Sequence, residues 1–349
     1  MSSALSELQV PIVLAPLAGG PSTPQLAAAV CEAGGLGFLA SGYLTAAESA
    51  SRISQARALT DRPFGVNVFV PGAGASDPGV YADYVAALHA EAAVWGAEPG
   101  EPRCSDDDWQ EKLALLLEDP VPVVSFTFGC PSPGTLRSLK QAGSETWVTI
   151  TSPREAQLAE KAGADVLVVQ GAEAGGHRAS FEDGEDEPPY ALLALLQLLA
   201  GAIEVPLVAT GAIATGAGLL ATLAAGASAA QIGTAFMLCP EAGTAAPHRA
   251  AIATDTPTEL TRAFTGRLAR GIRNRFLREH RGAPIAYPEI HYATAPIRRL
   301  ARERDDAEKI NLWAGEAHSL AREEPAAGVV ERIVDEAGPL LKPLRASAR

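Results

Sequence analysis

The chain has 349 residues, a length that α/β barrels routinely fill as one unit, and 47% of them are hydrophobic, ample for a large core. Its formal charge of -13 sets net repulsion against nucleic acid and anionic membrane surfaces, though not against one phosphate held by backbone N–H groups. No apolar run approaches the roughly 20 residues needed to span a bilayer.

The N-terminus, MSSALSELQVPIVLAPLAGG, lacks the basic stretch of a secretory signal, and 12–18 reads as a first strand running into the Gly19-Gly20 turn. Ser22 or Thr23 caps the next helix, 25–33, with Pro24 tolerated in its first turn. Residues 36–40 form a second strand, 45–59 a second helix and 64–70 (FGVNVFV) a third strand. Asn67 interrupts that apolar run; a buried amide needs partners, so it is either a satisfied core group or a ligand contact. Helix is predicted over 77–95, followed by an acidic, turn-rich excursion at 96–119 that contains an amphipathic helix over 109–117. Alternation then resumes with strand 123–128, helix 133–142, strand 147–151 and a helix running from Ser152-Pro153 to Ala162.

The next stretch, ADVLVVQGAEAGGHRAS (164–180), organises the rest. Its apolar run suits a strand buried on both faces of a parallel sheet. Two glycines then let the backbone approach a flat ligand while His177 faces it. A lone loop histidine is ordinarily solvated; one just past a strand's carboxyl end in a parallel α/β chain is where a barrel keeps its chemistry. After the acidic loop 182–187 come helix 189–199, strand 207–212, helix 219–225 and strand 230–236. Some eight βα units linked by right-handed crossovers predict a TIM barrel over 1–240. The remainder, 241–349, reads as an appended helical region that in part completes the barrel and covers the site.

Strand seven ends in Thr210-Gly211-Ala212-Ile213 and strand eight contains Gln231-Ile232-Gly233-Thr234. Barrels bind phosphate through the loops after these two strands, using glycine amides and a helix N-terminus. With Gln170 and His177 on the preceding strand, the set suits a flavin: amides for the phosphate, Asn and Gln for the ring's polar edge, apolar strand ends for its face. Competing motifs are weak. Gly72-Ala73-Gly74 lacks the third glycine of a dinucleotide fingerprint, and there is no Walker loop, HExxH or GxSxG. His248, His280, His291 and His318 have no metal-ligand spacing and read as surface or packing residues. Cys130 is a small buried residue at a strand end or a thiol lining the pocket. Cys31, Cys104, Cys130 and Cys239 are scattered without a CxxC pair, which fits reduced thiols in a cytoplasmic protein.

QGAEAGGHRAS (170–180) resembles the signature of nitronate monooxygenases, the flavin enzymes long called 2-nitropropane dioxygenases. The resemblance continues in order through LAPLAG, FGVNVF, SFTFGCP, VATGAIATG, QIGTAFM, TGRLARGIRN and NLWAGE, nearly the whole chain. It implies an FMN-binding TIM barrel with His177 as catalytic residue. The implied FMN contacts are Ala15, Pro16 and Leu17; Asn67; Gln170, Gly175 and Gly176; Gly211 and Ala212; and Gln231, Gly233 and Thr234. Three positions depart from the pattern: Leu17 replaces a frequent Met, Ala212 the second glycine of Gly-Gly-Ile, and Leu268 a frequent Pro.

The implied reaction is FMN-dependent oxidation of alkyl nitronates or nitroalkanes by O₂ to a carbonyl compound and nitrite. The imidazole, with an ordinary pKa of about 6.5, would act as base or position the nitronate. No metal, nucleic acid or membrane enters this scheme, and a homodimer is the candidate assembly. The rival enzyme is a flavin NAD(P)H enoyl reductase of fatty-acid or polyketide synthesis, with the arginines of 262–281 as a basic docking patch or else an ordinary solvated helix. A non-catalytic flavin-binding subunit is the rival from another class.

Overall fold

The computed structural model describes residues 3–346 apart from 76, 95 and 185–188; residue 95 at the end of the predicted helix 77–95 and the second half of the acidic loop 182–187 lie outside the described residues. The barrel elements follow one another as β1 (Ile12–Leu14), α1 (Pro24–Glu32), β2 (Gly37–Ala40), α2 (Ala46–Leu59), β3 (Phe64–Phe69), α3 (Gly79–Ala93), α4 (Trp109–Glu118) and β4 (Val123–Thr127). They continue with α5 (Pro133–Ala142), β5 (Glu145–Ile150), α6 (Pro153–Ala162), β6 (Val166–Gln170), the short β7 (Gly176–His177), α7 (Leu192–Leu199), β8 (Leu207–Thr210), α8 (Gly216–Ala224) and β9 (Ala229–Ile232). Local chemistry starts the helices. Thr23 accepts from Leu26 N ahead of Pro24, Thr45 and Glu48 form a capping box, and Ser132 and Ser152 each cap a helix that opens on proline.

The strands pair in the order β1-β9-β8-β6-β5-β4-β3-β2, all parallel. Val13 bridges Leu36 across the two ends, and Leu14 N donates to Leu36 O at 2.8 Å, so the sheet closes into the expected TIM barrel. Inside, at the amino end of the strands, Val13, Phe38, Val123, Trp147 and Val208 pack into one cluster, with Ala4 of the N-terminal 3₁₀ turn against it. The rings of Phe38 and Trp147 lie 5.5 Å apart. That end of the barrel is filled, so room for a ligand exists only at the carboxyl ends.

Several strands end earlier than their apolar runs. Phe128 (φ 75), Gly211 (φ 139) and Ala212 (φ 50) adopt positive φ and turn the chain out of β4 and β8, and β9 passes into a 3₁₀ turn at Thr234–Phe236.

The C-terminal region is not wholly helical. It carries α9 (Ala246–Ile252), α10 (Arg275–Glu279), α11 (Glu289–Glu303) and α12 (Ala326–Ala346), but also β10 (Thr258–Thr261) and β11 (Ala269–Ile272). These two strands pair antiparallel, and β11 pairs in turn with β7, setting Ala269 opposite His177 and Arg270 opposite Gly176. The segments TELT and ARGI show no clear alternation; partners distant in sequence define them as strands. α12 packs on α8 and α1, where a barrel's last helix belongs. Most arginines of the arginine-rich segment are buried or ion-paired, and only 275–279 of it is helical, with Arg278 exposed. Arg267 and Arg270 are buried, Arg262 pairs with Asp183, Arg273 and Arg281 with Glu259, and Arg275 with Glu91 and Glu279.

Candidate active site

A cavity of about 300 Å³ opens at the carboxyl ends of the barrel strands. His177 and every position named as a flavin contact line it. Ala15, Pro16 and Leu17 follow β1, Asn67 sits on β3, and Gln170 ends β6 ahead of Gly175, Gly176 and His177. Gly211 and Ala212 follow β8, while Gln231, Gly233 and Thr234 come from β9 and the turn beyond it. Cys130 is not among the lining residues, and burial pushes its thiol up to about 11.

Three non-glycine lining residues, Tyr43 (φ 66), Phe128 (φ 75) and Ala212 (φ 50), hold the left-handed backbone conformation. For side chains as large as Tyr and Phe this costs free energy, and such strain persists where the surroundings over-determine it, typically at ligand sites. Here it aims rings into the cavity. Phe128 meets His177 edge-on at 5.6 Å, and Tyr43 stacks on His291 at 4.0 Å.

His177 sits in an aromatic box completed by Tyr287 at 5.8 Å and Trp313 at 5.5 Å between ring centroids. Its Nε2 lies 2.9 Å from Thr265 Oγ1. Burial, reinforced by the positive charges of Arg267 and Arg298, brings its pKa down to about 3. The near-neutral value that recommends imidazole as a base therefore does not hold at this position. The ring is neutral at pH 7 and strongly disfavours a further positive charge.

The source of that field was not visible in the sequence. Arg298 is buried and pushed down to about 10, donating to Thr294 Oγ1 at 3.0 Å and His291 O at 2.8 Å. Among the described residues it has no carboxylate in ion-pair range, so an anion in the cavity would meet an uncompensated charge. Arg267 lies 4.2 Å over the Phe128 ring. His248, His291 and His318, read from sequence as surface or packing residues, line the cavity, whereas His280 packs on Phe276 at 4.2 Å. They reach the site through tail elements far along the chain, which no local pattern announces.

The donor set fits a flat, phosphate-bearing ring. Asn67, which lines the cavity, donates from Nδ2 to Ser125 Oγ at 2.9 Å and Thr127 Oγ1 at 3.0 Å, which orients the amide and leaves Oδ1 without a partner among the described residues. Gln231 Oε1 is a buried acceptor that likewise has none. Gly175 packs so closely on the tail that a Cβ there would come within 2.4 Å of Ala314 C. The N-terminus of α8 is already taken, since Gly216 N donates to Glu336 Oε2 at 2.9 Å. A phosphate in this cavity would find the Gly211–Ala212 and Gly233–Thr234 backbone beside it rather than a free Gly216 N–H.

The nitronate monooxygenase family profile matches residues 2–336. The chain belongs to this family. The family is a flavin-dependent class of oxidoreductases. A nitronate monooxygenase from Pseudomonas aeruginosa is 40% identical over 342 residues, covering 94% of this chain and 96% of that one. One from Paraburkholderia phytofirmans is 38% identical, covering 96% and 94%. Among solved structures, nitroalkane oxidase from Streptomyces ansochromogenes superposes with a TM-score of 0.95 at 48% identity, over 98% of this chain and 100% of that one. FabK from Thermotoga maritima reaches 0.76 at 29% identity, over 98% and 97%. Both solved structures thus superpose on the barrel described above and on the tail that follows it.

Proposed function

We propose that this protein is an FMN-dependent monooxygenase that oxidises alkyl nitronates or nitroalkanes with O₂ to a carbonyl compound and nitrite. The observation that carries the reading is a neutral His177 on the cavity wall, boxed by aromatic rings and faced by an arginine without a carboxylate partner. Asn67 and Gln231 would meet the polar edge of the flavin, Gly175 and Gly176 allow close approach, and Gly211, Ala212, Gly233 and Thr234 would hold the phosphate, with Ala15, Pro16 and Leu17 closing the opposite wall. One compact phosphate corner favours FMN over FAD. The bound flavin supplies electron acceptance from the nitronate and electron return to O₂. His177 takes the α-proton of a neutral nitroalkane, or positions a nitronate that has already lost it. Arg298 favours the anion, and Phe128, Tyr287 and Trp313 keep water out. We place the enzyme in the cytoplasm as a homodimer; no described helix is long and apolar enough to cross a membrane.

The test is direct. The purified protein is expected to be yellow, to release FMN on acid treatment, and to form nitrite with O₂ uptake on a panel of nitronates without NAD(P)H. NAD(P)H oxidation dependent on an enoyl thioester, with no nitrite, would favour the reductase reading; against it, most arginines of 262–281 are buried or already paired with carboxylates.

A further inference from the structure

We propose that Thr265 is the positioning residue that fixes the tautomer of His177: its hydroxyl accepts the Nε2 hydrogen and leaves Nδ1 as the bare nitrogen facing substrate. This rests on the oxidation reading above and assigns the base within it to one atom.

A neutral imidazole has one donor and one acceptor, so the 2.9 Å contact between Nε2 and Thr265 Oγ1 alone permits the hydrogen to run either way. The surroundings of the hydroxyl decide. Thr265 Oγ1 donates to Arg267 O at 3.2 Å and accepts from Arg267 N at 3.4 Å. A hydroxyl has one proton and two lone pairs. With the proton on the carbonyl and one lone pair toward the amide, what remains for His177 is a lone pair, and Nε2 must carry the hydrogen. Thr265 is 1% exposed, so no bulk water competes for it. The ring is neutral, which leaves Nδ1 unprotonated; it makes no hydrogen bond with a described residue, and the ring borders the cavity.

The backbone holds this arrangement in register. Thr265 lies in the β10–β11 connection, β11 pairs with β7 across Ala269 and His177, and Arg178 N donates to Leu268 O at 2.8 Å. Arg267 Nε closes the other side on Arg178 O at 3.1 Å. In the reaction the substrate C–H bond breaks and its electron pair becomes the C=N bond of the nitronate, displacing an N=O pair onto oxygen. The proton forms N–H at Nδ1, and the resulting imidazolium keeps its Nε2–H on Thr265.

The experiment compares wild type, Thr265→Val, which keeps shape and loses the hydroxyl, and Thr265→Ser, which restores it. In ¹⁵N-histidine-labelled holoenzyme the His177 signals, assigned by their loss in His177→Asn, are expected to report Nε2–H in wild type and Thr265→Ser and a mixture of tautomers in Thr265→Val. Anaerobic exchange of the nitroalkane α-proton with D₂O should fall at least tenfold in Thr265→Val and recover in Thr265→Ser, with flavin content unchanged. An Nδ1–H ring in wild type, or an unchanged tautomer in folded Thr265→Val, would overturn the assignment. The NMR result stands whether or not nitrite is formed, so it separates failure of this assignment from failure of the oxidation reading.

Discussion

The side chain of Gln170 clamps the loop that carries His177: Nε2 donates to His177 O at 3.0 Å while Oε1 accepts from Ala179 N at 2.9 Å. The amide that suggested a flavin contact is thus largely spent on holding the Gly-Gly-His loop, although Gln170 still lines the cavity. Gln170→Leu strips a partner from two backbone groups in a largely buried setting, at about 1–3 kcal/mol each. Chemical denaturation should show that loss, and turnover should drop with it. A variant as stable as wild type would mean the loop is held by β11 alone.

Gly233 tests the phosphate corner. A Cβ there would meet Leu17 Cδ2 at 3.2 Å and Ala15 Cβ at 3.4 Å, both at ends that line the cavity. Its backbone φ of -112 suits any residue, so Gly233→Ala should fold and keep most of its flavin. Gly233→Asp adds a carboxylate beside the proposed phosphate and should lose flavin affinity by several kcal/mol. Equal flavin content in the two variants, measured by absorbance after gel filtration, would move the phosphate elsewhere.

Arg298→Met removes the charge while keeping much of the side chain's bulk. Without that neighbour, protonating His177 costs somewhat less, so its pKa should rise above about 3, while burial and Arg267, the larger causes, still hold it well below the ordinary value. The nitronate loses its counter-charge as well, and KM for nitronates should rise tenfold or more, about 1.4 kcal/mol. An NMR titration and steady-state kinetics on the same variant check both. A KM that stays put would mean the anion binds out of reach of Arg298.

The barrel, the Gly-Gly-His loop and the two strand ends near Gly211 and Gly233 were legible because each is local: an apolar run, then glycine, then a polar residue. Ala212 shows why a departure from pattern was tolerable, since alanine can adopt φ 50 at modest cost where glycine would adopt it freely. The walls that decide the chemistry were not legible. Thr265, Arg267, Tyr287, Arg298 and Trp313 lie in a tail whose strands exist only through pairing with each other and with β7. Nothing within a ten-residue window marks a buried arginine as lacking a carboxylate.

Acid should unfold the protein early. His177 is held at about 3 and His248 at about 4, and His291 is also lowered, each mainly by burial. The folded state therefore binds fewer protons than the unfolded chain below about pH 6.5, and stability present above that pH is lost as pH falls toward those values. Each histidine contributes a slope of up to about 1.4 kcal/mol per pH unit. Thermal melts should begin to fall near pH 6.5, before most carboxylates protonate, and His177→Asn should flatten the limb. Melts that stay level from pH 7 to pH 5 would show that these rings are not kept neutral.

The low pKa of His177 also sets what its loss should do. A base of pKa about 3, held down mainly by burial and secondarily by Arg267 and Arg298, is weak against a carbon acid; only the smaller part due to Arg298 is offset when that arginine stabilises the nitronate that forms. Wild type should accordingly oxidise pre-formed nitronates far better than neutral nitroalkanes. In His177→Asn the neutral form, whose C–H proton still has to be removed, should lose a further 10²–10⁴-fold, the usual worth of a general base. The nitronate form should keep much of its rate, because Arg298 and the aromatic box remain. The measurement is kcat/KM for the neutral and anionic forms of one nitroalkane, at fixed pH, before they interconvert. If both forms fall together, His177 positions the anion rather than removing a proton. If neither falls, the Gly-Gly-His loop carries no chemistry, and the cavity's charge must act through Arg298 alone.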